Sequence, residues 1–556
     1  MKREIVAKGR RRCAYESLPH CTIAILVVAV VLYLATANAY LYGDEETYIV
    51  ASRSLFVGEP FRDVGEIRHR PITTAPLFAI ALAPLTGLGV VDLRILKVVP
   101  VLFTGGGLLF AFLWIRQHFR PTLWNLVLAV VAFNPLVVYL SHHLTPYALF
   151  FLLVNATLYL LALYERGQSK VVGLLALFLG LMSLTNYAGA GTCLGVMLYL
   201  LWRKRVRHLV LCGLVYVLVI GGWLGFLLMS TVFAPPTPDT TFAYDRVFVE
   251  KLILDRGPLW LVLSLVGRMG WSLGSYALRN LPWLLLGWFF SDTSLVAFQP
   301  QYVLKMALGI VPSALLAWGL VSRARTAWRE KSALPAFYWP FLGHIFFIAT
   351  PSETSAIYLM PFLLPLLYFT LYGAENIWQQ VQKYRPGWKL DVARVVLAVL
   401  FALGIGNALL ETRLVYLEAH ISSGKRVEPY TEHVLSVLLG KLELPRPYDW
   451  LYWLKGHTSP QDRAISFKFS RYTYLYLDQP GLDLAAYGAQ YEVADVEADL
   501  AACPQVNYMI VDAAPGSRPT NRVFEALVAQ QPARFGLLFY SPYSQMAIYS
   551  VGPATQ

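Results

Sequence analysis

The sequence is short of charge: Asp, Glu, Lys and Arg make up 14% of its 556 residues, whereas 57% are hydrophobic. Soluble domains carry roughly 25% charged residues, because their surface faces water. A chain with so little charge and a mean hydropathy of +0.51 does not fit a soluble protein. The composition predicts an integral membrane protein whose partners include membrane lipids.

Paired cysteines are also missing. The five cysteines lie in or near apolar segments, except the last, at positions 13, 21, 193, 212 and 503. None has the paired spacing of a zinc site or of a disulfide framework. Cysteine-based redox chemistry is therefore not expected.

A nucleic-acid-binding face is absent as well, although the net charge is +12 and the pI is near 9.3. The Lys and Arg residues fall in short clusters between apolar runs, and no basic stretch is interleaved with aromatic residues. Such clusters are typical of chains oriented in a membrane. The sequence thus predicts no nucleic-acid partner.

Apolar runs of membrane-spanning length dominate the first three quarters of the chain. About eleven of them approach the ~20 residues that a spanning helix needs. They lie near residues 21–42, 94–115, 122–140, 147–164, 171–186, 188–202, 209–230, 302–322, 335–349, 356–374 and 392–411. The predicted fold class is a polytopic α-helical membrane protein.

The basic clusters set the orientation. The chain starts with MKREIVAKGRRR, and every second connection carries at least two Lys or Arg residues: RQHFRP, ERGQSK, RKRVRH, SRARTAWREK and QKYRPGWKLDVAR. Cytoplasmic connections are enriched in these residues. We therefore predict a cytoplasmic N-terminus and an extracytoplasmic C-terminus in the plasma membrane, of bacterial inner-membrane type.

This threading requires two apolar stretches not to span. Residues 72–91 are interrupted by Pro and Gly, and we expect an interfacial helix there. Residues 259–290 contain Arg268, Arg279 and Pro282, and we expect them on the outer surface. An alternative for the N-terminus is a cleaved secretory signal, because ATANA at 35–39 resembles a cleavage site.

The composition changes after residue 411, where helix-length apolar runs stop. Residues 1–411 form the predicted transmembrane catalytic domain, and residues 412–556 a predicted small extracytoplasmic α/β domain. The stretches AISFKFSRYTYLYLD, VNYMIVD, GLLFY and MAIYS predict strands, and NRVFEALVAQQ predicts an amphipathic helix. This domain shows no catalytic motif, so we expect it to shape a substrate site or bind a partner.

Polar residues gather in the predicted outer connections. Asp44 and Glu45 directly follow the first apolar run and open a long outer loop at 43–93, which also holds Arg68, His69 and Arg70. Charged groups at membrane depth are retained mainly for function. The outer end is therefore the predicted active site.

Carboxylates and cations at the lipid surface suit one type of chemistry. If a sugar donor is anchored by a polyprenyl tail, cations hold its phosphate and one carboxylate accepts the proton of the attacking hydroxyl. This gives an inverting transfer without the paired carboxylates of glycoside hydrolases. A divalent metal could replace part of the positive charge, with His142 and His143 as candidate ligands.

Three segments resemble a known family. GDEETYIVASRSLFVGEPF is similar to the Asp-Glu motif in the first outer loop of GT-C lipid-dependent membrane glycosyltransferases, which include protein O-mannosyltransferases and aminoarabinose transferases. HRPITTAPLF and ETSAIYLMPFLLPLLYF resemble two further segments of that family. The similar layout, including a C-terminal outer domain, covers nearly the whole chain.

The resemblance implies roles for individual residues. Asp44 would be the general base or the carboxylate that positions the acceptor, and Glu45 would support it. Arg70 takes the place of a phosphate-binding basic residue, and the neighbouring His69 stands where the aminoarabinose transferases have a Glu. Arg53, Arg68 and Arg279 are further cations of the sequence that we expect to bind the donor phosphate. Acceptor or substrate contacts are expected from Glu353, Tyr48 and Tyr358. The acceptor would be a lipid, a glycan or a protein.

The sequence also departs from the family pattern. The family has arginines where this chain has Thr47, Asn186 and Ile357, and a second acidic residue where it reads LTPYA. Either other cations hold the phosphate, or the site has diverged. A non-catalytic membrane scaffold is therefore the alternative. A transporter is less well supported, because we find no internal repeat and few charges deep in the spans.

Overall fold

The structure is a computed structural model. It describes residues 20–35, 37, 45–58, 60–62, 64, 72, 74–89, 92–232, 266–267, 269–270, 272–277, 281–286, 300–330, 334–349, 356–384, 390–406, 449–459, 461–466, 473, 481–483, 493–512, 519–541 and 546–552. Most of this part of the chain is helical, and a small sheet lies near the C-terminus.

The apolar part contains fifteen helices among the described residues. They are α1 (His20–Ala35), α2 (Glu45–Ser54), α3 (Leu77–Gly87), α4 (Leu93–His118, with a turn at Lys97), α5 (Trp124–Ala132), α6 (Pro135–Ser141), α7 (Tyr147–Glu165), α8 (Val172–Thr185), α9 (Gly189–Trp202), α10 (Val206–Val232), α11 (Leu281–Leu286), α12 (Pro300–Arg329), α13 (Tyr338–Ile348), α14 (Leu363–Tyr384) and α15 (Val392–Gly406).

Four of the described helical segments are long and apolar enough to cross a membrane: Leu93–His118, Tyr147–Glu165, Val206–Phe226 and Ala356–Tyr384. The bent pair α5 and α6 makes a fifth if it counts as one span. Helices occupy each of the predicted apolar runs, but several have only 10–17 residues. The predicted count of about eleven spans is therefore not confirmed.

The bend between α5 and α6 has a local cause. Pro135 begins α6 and has no N–H to continue the hydrogen bonds of α5. Asn134 caps the new helix, since its Oδ1 accepts from the backbone N–H of Leu136 at 3.0 Å. The two helices consequently meet at 54°.

The predicted basic connections meet at one end of the helical bundle. Glu165 Oε1 accepts from the N–H of Ala336 at 2.7 Å, and Tyr164 Oη lies 2.6 Å from His208 Nδ1. Arg120 Nη2 lies 2.7 Å from a carboxylate oxygen of Glu375. We call this region, which includes the described residues 116–121, 165–170, 203–208, 322–330, 382–384 and 390–394, the basic end. Its side of the membrane stays a prediction.

The two stretches predicted not to span differ in burial. In 72–91, α3 is an 11-residue helix, too short for the ~30 Å of a bilayer core, and Phe78 packs edge-on against Tyr48 of α2. In 259–290, which is predicted to lie on the outer surface of the membrane, the described residues Leu281 and Leu284 of α11 are buried within the protein, and the carbonyl of Leu284 accepts from Asn134 Nδ2 at 2.6 Å. The side of the membrane on which α11 lies stays a prediction.

The C-terminal part contains a mixed five-stranded sheet in the order β2-β1-β3-β5-β4. Its strands are β1 (Arg463–Ser466), β2 (Leu482–Asp483), β3 (Val506–Asp512), β4 (Phe535–Tyr540) and β5 (Met546–Val551). β1 is parallel to β2 and β3, whereas β5 is antiparallel to β3 and β4. The predicted strands at VNYMIVD, GLLFY and MAIYS are confirmed; of AISFKFSRYTYLYLD only the first residues form a described strand.

Side chains alternate across this sheet, as strand geometry requires. Met509 and Val511 pack with helices α17 (Val493–Ala502) and α18 (Pro519–Gln530). Ile510 packs on the other face with α16 (Asp449–His457). The α/β character predicted for this part is confirmed, and α18 is the predicted amphipathic helix. The boundary at 411 lies next to residues 407–448, which are outside the described part.

Candidate functional site

A buried carboxylate opens α2 and gathers groups from two distant parts of the chain. The side chain of Glu45 is 0% exposed, and its Oε1 accepts a hydrogen bond from the N–H of Leu144 at 2.9 Å. Lys97 Nζ lies 3.6 Å from Oε2, and His143 Nδ1 lies 3.4 Å from Oε1. These four groups are called the Glu45 cluster below.

The fold explains why these residues meet. Lys97 occupies the turn near the start of α4. Residues 142–146 follow the end of α6 and lead into α7, and segment 141–146 is buried throughout. The cluster therefore lies where α4 and α7 begin, whereas the basic end lies where the same two helices finish.

Lys97 is the cation that balances the Glu45 carboxylate. Both side chains are 0% exposed, so water screens neither charge. Burying either ion alone would cost several kcal/mol, and an ammonium this close to a carboxylate offsets much of that cost. The pair consequently holds the start of α2 against the start of α4.

The two histidines act as neutral groups beside this pair. Burial, with the positive charge of Lys97, lowers the pKa of His142 to about 3. Burial and the neighbouring His142 and Lys97 hold the pKa of His143 well below its usual value. At neutral pH the imidazole of His143 is uncharged and packs 4.1 Å from the ring of Tyr139.

Two of the predicted substrate residues are tyrosines near the cluster in the fold. Tyr48 lies one turn after Glu45 on α2 and is buried against Phe78. Tyr358 packs edge-on against Tyr147, the first residue of α7, with 6.0 Å between ring centroids. The Tyr358 carbonyl accepts from Nε2 of buried His344 at 2.8 Å, which anchors the short 3₁₀ turns of 356–362.

Among the predicted phosphate-binding residues, Arg53 alone is described. It lies in the last turn of α2 and is half-buried. Arg53 lies eight positions after Glu45 on the same helix, which corresponds to about 12 Å along the helix axis. The other predicted site residues lie outside the described part of the chain: Asp44, Arg68, His69, Arg70, Arg279 and Glu353.

A metal site was the remaining expectation, with His142 and His143 as ligands. Among the described residues, no group of three or more His, Cys, Asp or Glu side chains is arranged to hold a metal ion. The Lys97 ammonium already occupies the position beside Glu45 that a cation would take. The described donors do not fit a metal, and we derive no step through one.

Lys97 is the functional candidate that the sequence analysis missed. Lys97 stands inside the apolar run 94–115, which is predicted to be one span, and it is a charged residue near the start of that run. A signal did exist, because an ionisable residue within a transmembrane segment is by default a functional candidate. Thr145, in the same buried segment as His143, carried no such signal.

Two comparisons of the sequence with known proteins found no match. No protein-family model matches the sequence. No curated protein matches it either.

Solved structures do resemble the chain. The crystal structure of ArnT from Cupriavidus metallidurans bound to undecaprenyl phosphate superposes with a TM-score of 0.53 at 13% identity, covering 96% of this chain and 99% of ArnT. The oligosaccharyltransferase of Archaeoglobus fulgidus, tethered with an acceptor peptide, gives a TM-score of 0.51 at 12% identity, covering 96% of this chain and 74% of that one. Both are similar to this chain in fold, and the fold that they share with it is the GT-C fold.

Proposed function

We propose that this protein is a glycosyltransferase that moves a sugar from a polyprenyl-phosphate donor to an acceptor at the outer face of the membrane. One observation carries the proposal: the residue directly after Asp44 is fixed in a dry, charge-balanced cluster with Lys97. That cluster lies at the end of the GT-C fold opposite the basic end. The similar structure of ArnT holds undecaprenyl phosphate, which supports a lipid-phosphate donor.

Asp44 is the proposed general base. Its carboxylate would accept the proton of the acceptor hydroxyl as the hydroxyl oxygen attacks the anomeric carbon. The bond from that carbon to the phosphate oxygen breaks, and the phosphate leaves with the electron pair. Attack opposite the leaving group inverts the anomeric configuration. Because phosphate departs as a stable anion, no acid needs to protonate it.

Glu45 is a poor candidate for the base itself. Its Oε1 is engaged by the N–H of Leu144, and its Oε2 faces Lys97. Both interactions stabilise the carboxylate without a proton. We therefore propose that Glu45 fixes the start of α2, and so limits the positions that the neighbouring Asp44 can take.

Positive charge for the departing phosphate comes from more than one source in this proposal. Arg70, with Arg68 and His69, and Arg279 supply it from outer segments, and Arg53 from the end of α2. Lys97 is not counted in this set, because its charge balances the Glu45 carboxylate. This set replaces the family arginines that are absent at Thr47, Asn186 and Ile357.

The acceptor is proposed to be a lipid, glycan or protein hydroxyl that approaches from outside. Tyr48 and Tyr358 border the Glu45 cluster through α2 and the start of α7, and Glu353 precedes the Tyr358 turns in sequence. The C-terminal α/β part is proposed to select the acceptor, since it has no catalytic motif of its own.

Sugar transfer by the purified chain tests this proposal. The protein, in lipid nanodiscs, is given polyprenyl-phosphate donors that carry different labelled sugars, with lipid and peptide acceptors. Asp44→Asn should lower the rate about 100-fold or more, the range lost with a general base. Glu375→Gln, which removes a carboxylate at the basic end, is the matched control and should leave the rate unchanged.

The same assay separates the enzyme from a membrane scaffold. If Asp44→Asn transfers sugar as fast as the wild type, Asp44 is not the base. If the wild type transfers no sugar from any donor and binds no polyprenyl phosphate, the scaffold describes the protein better.

A further inference from the structure

One buried hydroxyl next to the Glu45 cluster is left without a hydrogen bond. Thr145 is 8% exposed, and its Oγ1 atom has no partner in the described part of the chain. Buried hydroxyls in native proteins are nearly always hydrogen-bonded, because losing water without replacement is costly. An exception calls for a reason.

Most buried threonines with a described hydroxyl bond satisfy this rule inside the protein, and Thr370, on α14, is the other buried threonine whose Oγ1 has no described partner. Thr104 Oγ1 donates to the carbonyl of Pro100 at 2.9 Å, and Thr185 Oγ1 donates to the carbonyl of Leu181 at 2.8 Å. Both sit within a helix, where the carbonyl four residues earlier is within reach. Thr145 lies in the connection between α6 and α7, where that local partner is not provided.

The hydroxyl is nevertheless held in a fixed place. The N–H of Leu144, one residue earlier, is bonded to Glu45, and the carbonyl of Pro146, one residue later, accepts from the N–H of Phe150 at 2.8 Å. The whole segment 141–146 is buried. These bonds fix the backbone on both sides of Thr145, so the position of its Cα atom, and with it the region that the hydroxyl can reach, is set by the fold.

We infer that Thr145 contacts the donor, its hydroxyl binding an oxygen atom of the sugar-phosphate headgroup. This rests on the proposed function, which places the headgroup beside the Glu45 cluster. Thr145 lies between that cluster and Tyr147, the ring that packs on Tyr358. A neutral hydroxyl can donate to a phosphate oxygen or to a sugar oxygen without adding charge near Glu45.

Thr145→Val tests the inference, because valine keeps the shape and removes the hydroxyl. Binding of two probes to the full chain in nanodiscs is measured: polyprenyl phosphate, and polyprenyl-phosphate mannose. Because Thr145→Val loses one hydrogen bond to a charged headgroup, we expect it to bind the lipid about tenfold more weakly than the wild type. Thr145→Ser retains the hydroxyl and should bind like the wild type, and Thr104→Val is the matched control for losing a buried threonine.

The two probes distinguish the oxygen that is bound. Weaker binding of both lipids by Thr145→Val assigns the hydroxyl to the phosphate, and weaker binding of the mannosyl lipid alone assigns it to the sugar. Thermal unfolding separates a ligand role from a structural one: Thr145→Val should unfold at or above the wild-type temperature, because no bond within the protein is lost.

Wild-type affinity of Thr145→Val for both lipids would overturn the inference and leave the proposed function standing. Failure of the wild type itself to bind either lipid would overturn the proposed function, and this inference with it.

Discussion

Two sets of ion pairs lie at opposite ends of α4, and they differ in burial more than in distance. At the basic end Arg120 lies 2.7 Å from Glu375 and 3.4 Å from Asp391, with these side chains 57%, 37% and 35% exposed. At the other end Lys97 and Glu45 are 3.6 Å apart and 0% exposed. Water screens the first group, so its shorter distance contributes little, whereas in the second each ion depends on the other.

The comparison also separates structure from function. The exposed pairs join the end of α4 to α14 and to the start of α15. The buried pair includes Glu45, the residue after the candidate base Asp44, and it lies beside segment 141–146, which holds the unsatisfied hydroxyl of Thr145. Charge that a protein keeps where it is most costly marks a candidate site of chemistry.

The largest effect is expected from Lys97→Met. The variant removes the ammonium that lies 3.6 Å from the buried Glu45 carboxylate, and breaking a buried ion pair by removing one partner typically costs about 3–5 kcal/mol of stability. Unfolding of the purified chain in detergent, followed with increasing denaturant, measures the change. A loss as small as that of an exposed pair would show that Lys97 does not balance Glu45.

The double variant Lys97→Met/Glu45→Gln sharpens this result. The double variant should recover much of the stability that Lys97→Met loses, because both charges of the buried pair are removed. The four proteins of the cycle give the coupling energy between the two residues. Additive losses would mean that Lys97 and Glu45 act independently.

A smaller loss of stability than that of Lys97→Met is expected when the pH is lowered. His142 lies between α6 and α7, and burial holds its pKa near 3 in the fold, against about 6.5 when unfolded. The unfolded chain therefore binds the extra proton as pH falls below 6.5, and the fold loses stability there, by about 2 kcal/mol at pH 5 from this group. His142→Gln should flatten this loss between pH 6.5 and 4 in unfolding curves; an unchanged slope would contradict the assignment.

The smallest loss of stability is expected from a substitution at the basic end. Arg120→Gln removes its contacts with Glu375 and Asp391 but exposes no buried charge, so the loss should be about 0–1 kcal/mol. It should also shrink with added salt, since exposed charges are screened. The same unfolding assay, at low and high salt, measures it. A loss equal to that of Lys97→Met would remove the distinction between the two ends.

Much of the helical layout could be predicted from the sequence. Apolar run length predicts where helices lie, and the clustered Lys and Arg residues predict the connections that meet at the basic end. The short apolar stretches VNYMIVD, GLLFY and MAIYS predict β3, β4 and β5. These features depend on neighbours in sequence, so they can be read without the fold.

The Glu45 cluster could be predicted only in part. The Asp44 and Glu45 pair stands out after an apolar run, but Lys97 and Leu144 reach Glu45 from 52 and 99 positions away. Such contacts depend on how α4 and α7 pack, which no local pattern specifies. The unsatisfied hydroxyl of Thr145 is likewise a property of the folded segment alone. The predicted number of spans is not confirmed, because several of the described apolar helices have only 10–17 residues.

The most direct measurement of the central claim is a density map of the protein with polyprenyl phosphate bound. We expect density for the lipid phosphate at the end of the bundle where α4 and α7 begin, within reach of Asp44 and next to the Glu45 cluster. Phosphate density at the basic end alone, or an occluded apolar surface beside Glu45, would contradict it.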